Sequence, residues 1–158
     1  MVGDFAVGKT SLVSRYVHNV FSEKYLTTLG VKIDTQVVTL PHKGGIKLVV
    51  WDIAGTDRFR TRDTRYLRGA ASYLLVVDGT RRHTLDTAVQ LKHSVDEILN
   101  APPFIVLVNK CDLQHEWEIA DSELQDLRAK GWAVLKGSAK DGKNVTKAFE
   151  MIATYLLG

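Results

Sequence analysis

Cysteine is almost absent: Cys111 is the only one in 158 residues, so no disulfide can form within the chain and the expected setting is reducing and cytosolic. Excess charge is scarce too. Against 21 Lys and Arg stand 18 Asp and Glu, a balance of +3 that implies no nucleic-acid partner, although "RFRTRDTRYLR", residues 58–68, is a local basic cluster. Long hydrophobic runs are missing. "SYLLVV" and "FIVLV" have the length of buried strands and fall far below a membrane span. The ends show no signal peptide and, at "YLLG", no lipidation cysteine, so no membrane anchor is expected within the chain. Repeats and low-complexity linkers are also lacking. What is present, 45% hydrophobic and 25% charged residues, is ordinary globular composition in a length suited to one domain over residues 1–158.

The most specific stretch is "GDFAVGKTS", where Gly3, Gly8, Lys9 and Thr10 fill the spacing G-x-x-x-x-G-K-[ST] ahead of a helical pattern. Such a loop turns successive N–H groups inward around an anion, and the helix that follows adds its positive dipole end. Lys9 can reach the β- and γ-phosphates and Thr10 can offer its hydroxyl to Mg²⁺. Read alone, the motif also fits a glycine-rich turn before a helix with a coincidental lysine. Only Met1 and Val2 precede Gly3, whereas a P-loop normally follows a full strand, so the first strand is expected to be truncated.

Strand and helix patterns alternate through the rest. "KTSLVSRYVHNVF" places Leu12, Tyr16, Val17 and Val20 at helical spacing, and "SEKYLTTLG" loses all periodicity. "VKIDTQVVTL" and "IKLVVWDI", joined by "PHKGG", predict a hairpin. "SYLLVVDG", "FIVLVNKCD" and "WAVLKGSAK" predict short buried strands that end in polar residues. Helices are expected over residues 84–99, 122–130, opening with the capping-box pattern "SELQ", and 145–157. The pattern predicts an α/β fold: a mostly parallel sheet with helices on both faces and one antiparallel edge strand from the hairpin. Ligands in such folds lie beyond the carboxyl ends of the strands.

Residues at those ends carry a consistent chemistry. Asp52 of "WDIAGTDRF" falls beside the P-loop, where it can hold Mg²⁺ directly or through water, and Gly55 can bring a backbone N–H close to a terminal phosphate. Asp52 alone also fits a strand-end turn or cap. "NKCD" and "GSAK" close the next two strands. The Asp112 carboxylate accepts only, matching the N1–H and amine donors of guanine rather than adenine. Ala139 N–H can donate to guanine O6, Asn109 can brace the two loops, and Lys110 can lay its stem along the base. Each tetrapeptide alone is equally a polar loop. Thr28 lies where its hydroxyl can ligate Mg²⁺ only when a γ-phosphate draws the loop inward, which makes residues 22–31 a candidate switch. Phe21 against the base and Tyr25 over the phosphates have simple packing as their alternative.

Across essentially its whole length the sequence resembles the Ras superfamily of small GTPases, nearest in texture to the Rab and Ras branches, on the ordered motifs "GDFAVGKT", "TTLG", "WDIAG", "NKCD" and "SAK". The resemblance implies a Ras-like G domain of the P-loop NTPase class. It implies phosphate contacts from Gly3, Asp4, Phe5, Ala6, Val7, Gly8, Lys9 and Thr10, continuing to Ser11, and Mg²⁺ held by Thr10, Thr28 and, through water, Asp52. Gly55 would contact the γ-phosphate. Asn109, Lys110, Asp112 and the adjoining Leu113 would recognise guanine with Ser138, Ala139 and Lys140, while Phe21 and Tyr25 match the family's base-side and phosphate-covering aromatics. Catalysis would involve Lys9, Thr28, Gly55 and Thr56. Effectors, an exchange factor and an activating protein would engage residues 22–31 and 53–68.

Two positions depart from the family pattern. Thr56 stands where a glutamine commonly orients the attacking water, a replacement shared with the Rap branch, and Phe5 fills a P-loop position usually held by a small residue. The Phe5 ring either excludes an inserted arginine finger, leaving a slow timer, or packs on the second switch. The expected function is a slow GTP-hydrolysing switch. Its alternatives are a binding-only module with negligible turnover and, disfavoured by "NKCD" with "SAK", a P-loop kinase.

Overall fold

Two adjacent strands, β4 (Tyr73–Asp78) and β5 (Phe104–Asn109), explain the architecture, because apolar residues run through them without alternation. Such strands are stable only with both faces covered. In the computed structural model, which describes residues 1–24, 26–54 and 64–158, they are. Leu74, Val76, Ile105 and Leu107 pack with Leu12 of α1 (Lys9–His18) and Phe149 of α4 (Val145–Leu157). Leu75, Val77, Val106 and Val108 face the other way, onto Leu85 and Val95 of α2 (His83–Leu99) and Leu124 of α3 (Asp121–Ala129). The sheet thus separates two apolar cores. Tyr16 and Phe149 stack at 3.9 Å between ring centroids where α1 meets α4.

The order β1-β4-β5-β6 is parallel throughout, with β1 at Val2–Gly3 and β6 at Val134–Lys136. β2 (Val31–Leu40) and β3 (Gly44–Ile53) form the expected hairpin, paired from Val31 opposite Ile53 to Leu40 opposite Gly44. The α/β architecture is as expected, and the hydrogen bonds group its strands as a four-stranded parallel sheet and a two-stranded antiparallel pair. The reason is the brevity of β1. Its two residues pair with Leu75 and Val76, and the link toward β3 is the Met1 amine donating to Trp51 O at 2.8 Å.

Two helix boundaries also differ from the spacing. α1 stops at His18 because Asn19 turns left-handed, at φ 53°, and its N–H closes on Arg15 O. Val20 therefore leaves the apolar stripe and is exposed. At α3 the capping pattern lies two residues earlier than "SELQ" suggests: Ser122 is already helical, and Glu123 Oε2 accepts from Ala120 N–H at 3.0 Å. Alanine has no side-chain oxygen with which to return the bond. Among the described residues, no helix is long and apolar enough to cross a membrane.

Candidate functional site

The carboxyl ends of the parallel strands open into a cavity of about 500 Å³ whose wall joins the loop after β1, the segment before β2 and the loops after β5 and β6. Close packing explains the framing glycines. A Cβ on Gly3 would lie 2.5 Å from Val76 O, and one on Gly8, at φ 99°, would lie 2.2 Å from Asn109 Nδ2. Gly3 is thus required by the neighbouring strand, and Gly8 by its left-handed backbone and the Asn109 side chain. Val7 is wholly in the core. Phe5, Ala6, Gly8, Thr10 and Ser11 line the cavity, with Phe5 half exposed.

Lys9 is buried, and its ammonium donates to Gly3 O at 3.1 Å and Asp4 O at 2.7 Å. Burial lowers its pKa to about 8, only partly opposed by the charges of Asp52 and Asp4. Asp4 accepts from Phe5 N–H through Oδ1 and from the Thr87 hydroxyl through Oδ2. The chain ahead of Leu12 N–H, the first bond back to Gly8 O, carries the leading amides that a helix start leaves without intrahelical acceptors. A cation and oriented amides at one cavity wall suit a polyanion.

Three oxygen-bearing side chains meet beside Lys9. Thr10 Oγ1 donates to Asp52 Oδ2 at 2.5 Å, so Thr28 Oγ1, 2.6 Å from the same hydroxyl, supplies the proton between the two threonines. Asp52 is buried, and its Oδ1 has no hydrogen-bond partner among the described residues. An orphaned carboxylate oxygen beside two hydroxyls is an all-oxygen set suited to a hard divalent cation. They come from α1, the irregular segment and the end of β3.

The loops after β5 and β6 are stitched together by Asn109. Its Nδ2 donates to Val7 O at 3.0 Å, and its Oδ1 accepts from Ala139 N–H at 3.1 Å. The bracing role is as expected, but Ala139 N–H, expected to face guanine O6, is here engaged by Asn109. Ser138, buried, donates to Asp112 Oδ1 at 2.7 Å and thereby orients the carboxylate. Lys110 at φ 69° sends its ammonium down to Ala6 O and to Asp78 Oδ2, 2.6 Å away, leaving its stem along the cavity wall. Leu113 adds an apolar wall, and Lys140 pairs with Glu23 across the cavity mouth at 3.1 Å. Phe21 both lines the cavity and packs on the α1–α4 core. Tyr25, Gly55, Thr56 and most of the second-switch segment lie outside the described residues.

Three participants carry no motif in the sequence. Arg15 clamps the last loop to α1, donating to Ala139 O and Lys140 O. Asp78, fully buried, accepts from Arg81, Thr80 and Lys110. Burial alone would push its pKa up, but the bonds from Lys110, Thr80 and Arg81 together hold it below the ordinary value. Arg81 reaches the Phe5 carbonyl. A carboxylate closing an apolar strand, as Asp78 does in "LLVVDG", was the available signal.

A glycine-framed loop between strand and helix, a buried lysine folded onto that loop and a cavity at the carboxyl edge of a parallel sheet define a P-loop nucleotide-binding protein of the α/β class. Residues 1–157 match the Ras family, and the chain belongs to that family. It is 32% identical over 168 residues to Ras-related protein Rab-32A of Dictyostelium discoideum, an alignment covering 99% of this chain and 76% of that protein. Ras-related protein SEC4 of Candida albicans is 37% identical over 159 residues, with 99% and 75% covered. Human Ras-related protein Rab-7L1 is 33% identical over 166 residues, with 99% and 80% covered. The chain is a Rab-like small GTPase, a switch protein that binds GTP and GDP and works with protein regulators and effectors.

Proposed function

We propose that residues 1–158 act as one G domain that binds a guanine nucleotide with Mg²⁺ in the cavity and hydrolyses GTP slowly. The convergence of Thr10, Thr28 and Asp52 carries this reading, because three oxygen ligands from distant parts of the chain meet beside the phosphate loop and leave Asp52 Oδ1 unpaired. Bound among them, the cation would neutralise charge on the phosphate oxygens. Lys9 and the leading amides of α1 hold the phosphates. Asp112, oriented by Ser138, accepts from the guanine edge, with Asn109 fixing the distance between base loops and phosphate loop, Lys110 and Leu113 flanking the base plane, and Ala139 and Lys140 closing its far side. Thr28 ties residues 22–31 to the metal site and so makes that segment responsive to the terminal phosphate. Tyr25 over the phosphates and Gly55 at the γ-phosphate complete the set by family resemblance. Residues 22–31 and 53–68 are the surfaces offered to effectors, exchange factor and activating protein. The free thiol of Cys111 supports a reducing, cytoplasmic setting.

Slow turnover follows from Thr56, which is shorter than glutamine and has no carboxamide to bridge the attacking water and the γ-phosphate. Single-turnover phosphate release from preloaded GTP tests it. Thr56→Gln should accelerate the parental rate, and more so when combined with Phe5→Gly if the ring obstructs the space that the glutamine must enter. Fast parental hydrolysis would mean that another residue positions the water. A rate of zero in all four proteins would identify a binding-only module.

A further inference from the structure

Five consecutive carbonyl oxygens of the phosphate loop accept hydrogen bonds from side chains. Lys9 takes Gly3 O and Asp4 O, Arg81 Nη2 takes Phe5 O at 2.8 Å, Lys110 takes Ala6 O at 3.3 Å and Asn109 takes Val7 O. Lys9, Asn109 and Lys110 belong to nucleotide-binding motifs. Arg81 belongs to none.

Its position is fixed from three sides. Arg81 Nε donates to Asp78 Oδ2 at 2.9 Å, and Asp78 is fully buried, so the guanidinium is anchored to an immobile carboxylate while its other arm reaches the loop. The turn bearing Arg81 is itself braced: Gly79 O accepts from Glu118 N–H at 2.8 Å, and the Trp117 ring lies where a Cβ on Gly79 would be, 1.9 Å from its nearest atom. Arg81 does not line the cavity. It grips the loop from behind.

The Phe5–Ala6 peptide is planar and trans, so holding Phe5 O toward Arg81 aims Ala6 N–H in the opposite direction. Ala6 sits at φ 58°, a left-handed conformation uncommon for a residue other than glycine. Rotation of this peptide would replace a donor with a carbonyl oxygen at an anion site. We propose that Arg81 is a positioning residue of the phosphate site, locking the Phe5–Ala6 peptide with its N–H presented to the β-phosphate of a guanine nucleotide. This rests on the cavity being the nucleotide site.

Competition binding of GDP and GMP to the full chain separates this role from general support, because only GDP carries the β-phosphate. The GDP-to-GMP affinity ratio should fall ~10-fold or more in Arg81→Ala, the scale of losing a charge-assisted hydrogen bond, with GMP affinity unchanged. In Arg81→Lys the ratio should stay reduced, because the guanidinium spans Asp78 and Phe5 O with two separate nitrogens, Nε and Nη2, where a lysine brings one. A parental protein that does not prefer GDP over GMP would overturn the reading of the cavity itself. A parental preference retained in Arg81→Ala, an equal loss for both nucleotides, or full restoration by Arg81→Lys would overturn the positioning role alone.

Discussion

Lys9 is a cation held among carbonyl oxygens, and burial leaves its pKa at about 8 rather than at the ordinary 10.5. Phosphates placed beside it raise that value, because an opposite charge favours the ammonium. Above pH 8 the free site has lost part of its proton and the occupied site has regained it, so nucleotide binding takes up a proton there and weakens as pH rises. At pH 7 Lys9 is mostly protonated in both states and contributes little uptake. Calorimetric titration with GDP in buffers of different ionisation enthalpy should show about half a proton taken up at pH 8, more at higher pH, and almost none near neutrality. A binding enthalpy independent of buffer at pH 8.5 would mean that Lys9 does not face the phosphates. The effect on folding has the opposite sense. With the folded pKa below the unfolded one, the unfolded chain binds more protons between the two values, so the penalty of burying Lys9 is relieved as pH rises through that window.

Thr28 is anchored to the cavity through Thr10, while Leu26 and Leu29 on either side of it are exposed. The segment between α1 and β2 thus has little apolar burial of its own, the condition under which a stretch of chain opens locally. Its order should depend on what Thr28 holds. Hydrogen exchange over residues 22–31 should slow with Mg²⁺ and a non-hydrolysable GTP analogue relative to Mg²⁺ and GDP, and equal protection in the two complexes would identify a static binding module. Elements of this kind also decide how much could be read from the sequence. The P-loop, the hairpin and the four α-helices of the described residues were legible, because glycine spacing and apolar period are local properties. Thr10 and Asp52 stand at the edges of recognisable runs for the same reason, whereas Thr28 lies in a stretch without periodicity. The break between β1 and β3 was not legible, since it depends on ladder bonds between distant strands. Nor were Arg15 and Arg81. An arginine on a helix or turn carries no mark of which carbonyl it will reach, and Arg15 meets Ala139 and Lys140 more than a hundred residues later.

Across the whole molecule the site cross-links parts that also share an apolar core. Asn109 joins the loop after β5 to Val7, Arg15 joins α1 to the loop after β6, and Thr10 with Thr28 and Asp52 joins α1 to the hairpin sheet. The hairpin meets the parallel sheet through Val38, Leu48 and Val50 in the shared core, and the cross-links at the site add polar connections between the same parts. A ligand that bridges the same parts binds the folded chain and not the unfolded one, which couples its affinity to global stability. With GDP and Mg²⁺ at a hundred times the dissociation constant, the stabilisation is ~2.7 kcal/mol, or a rise in Tm of about 5–10 °C for a chain of this size. Thermal unfolding followed after nucleotide removal with a chelator should show that fall in Tm, restored by GDP with Mg²⁺ and not by ADP with Mg²⁺ at equal concentration. Restoration by ADP would mean that the phosphate loop alone supplies the linkage and that Asp112 does not select the base. An unchanged Tm on removing and restoring GDP would place the nucleotide outside the joint that these side chains form.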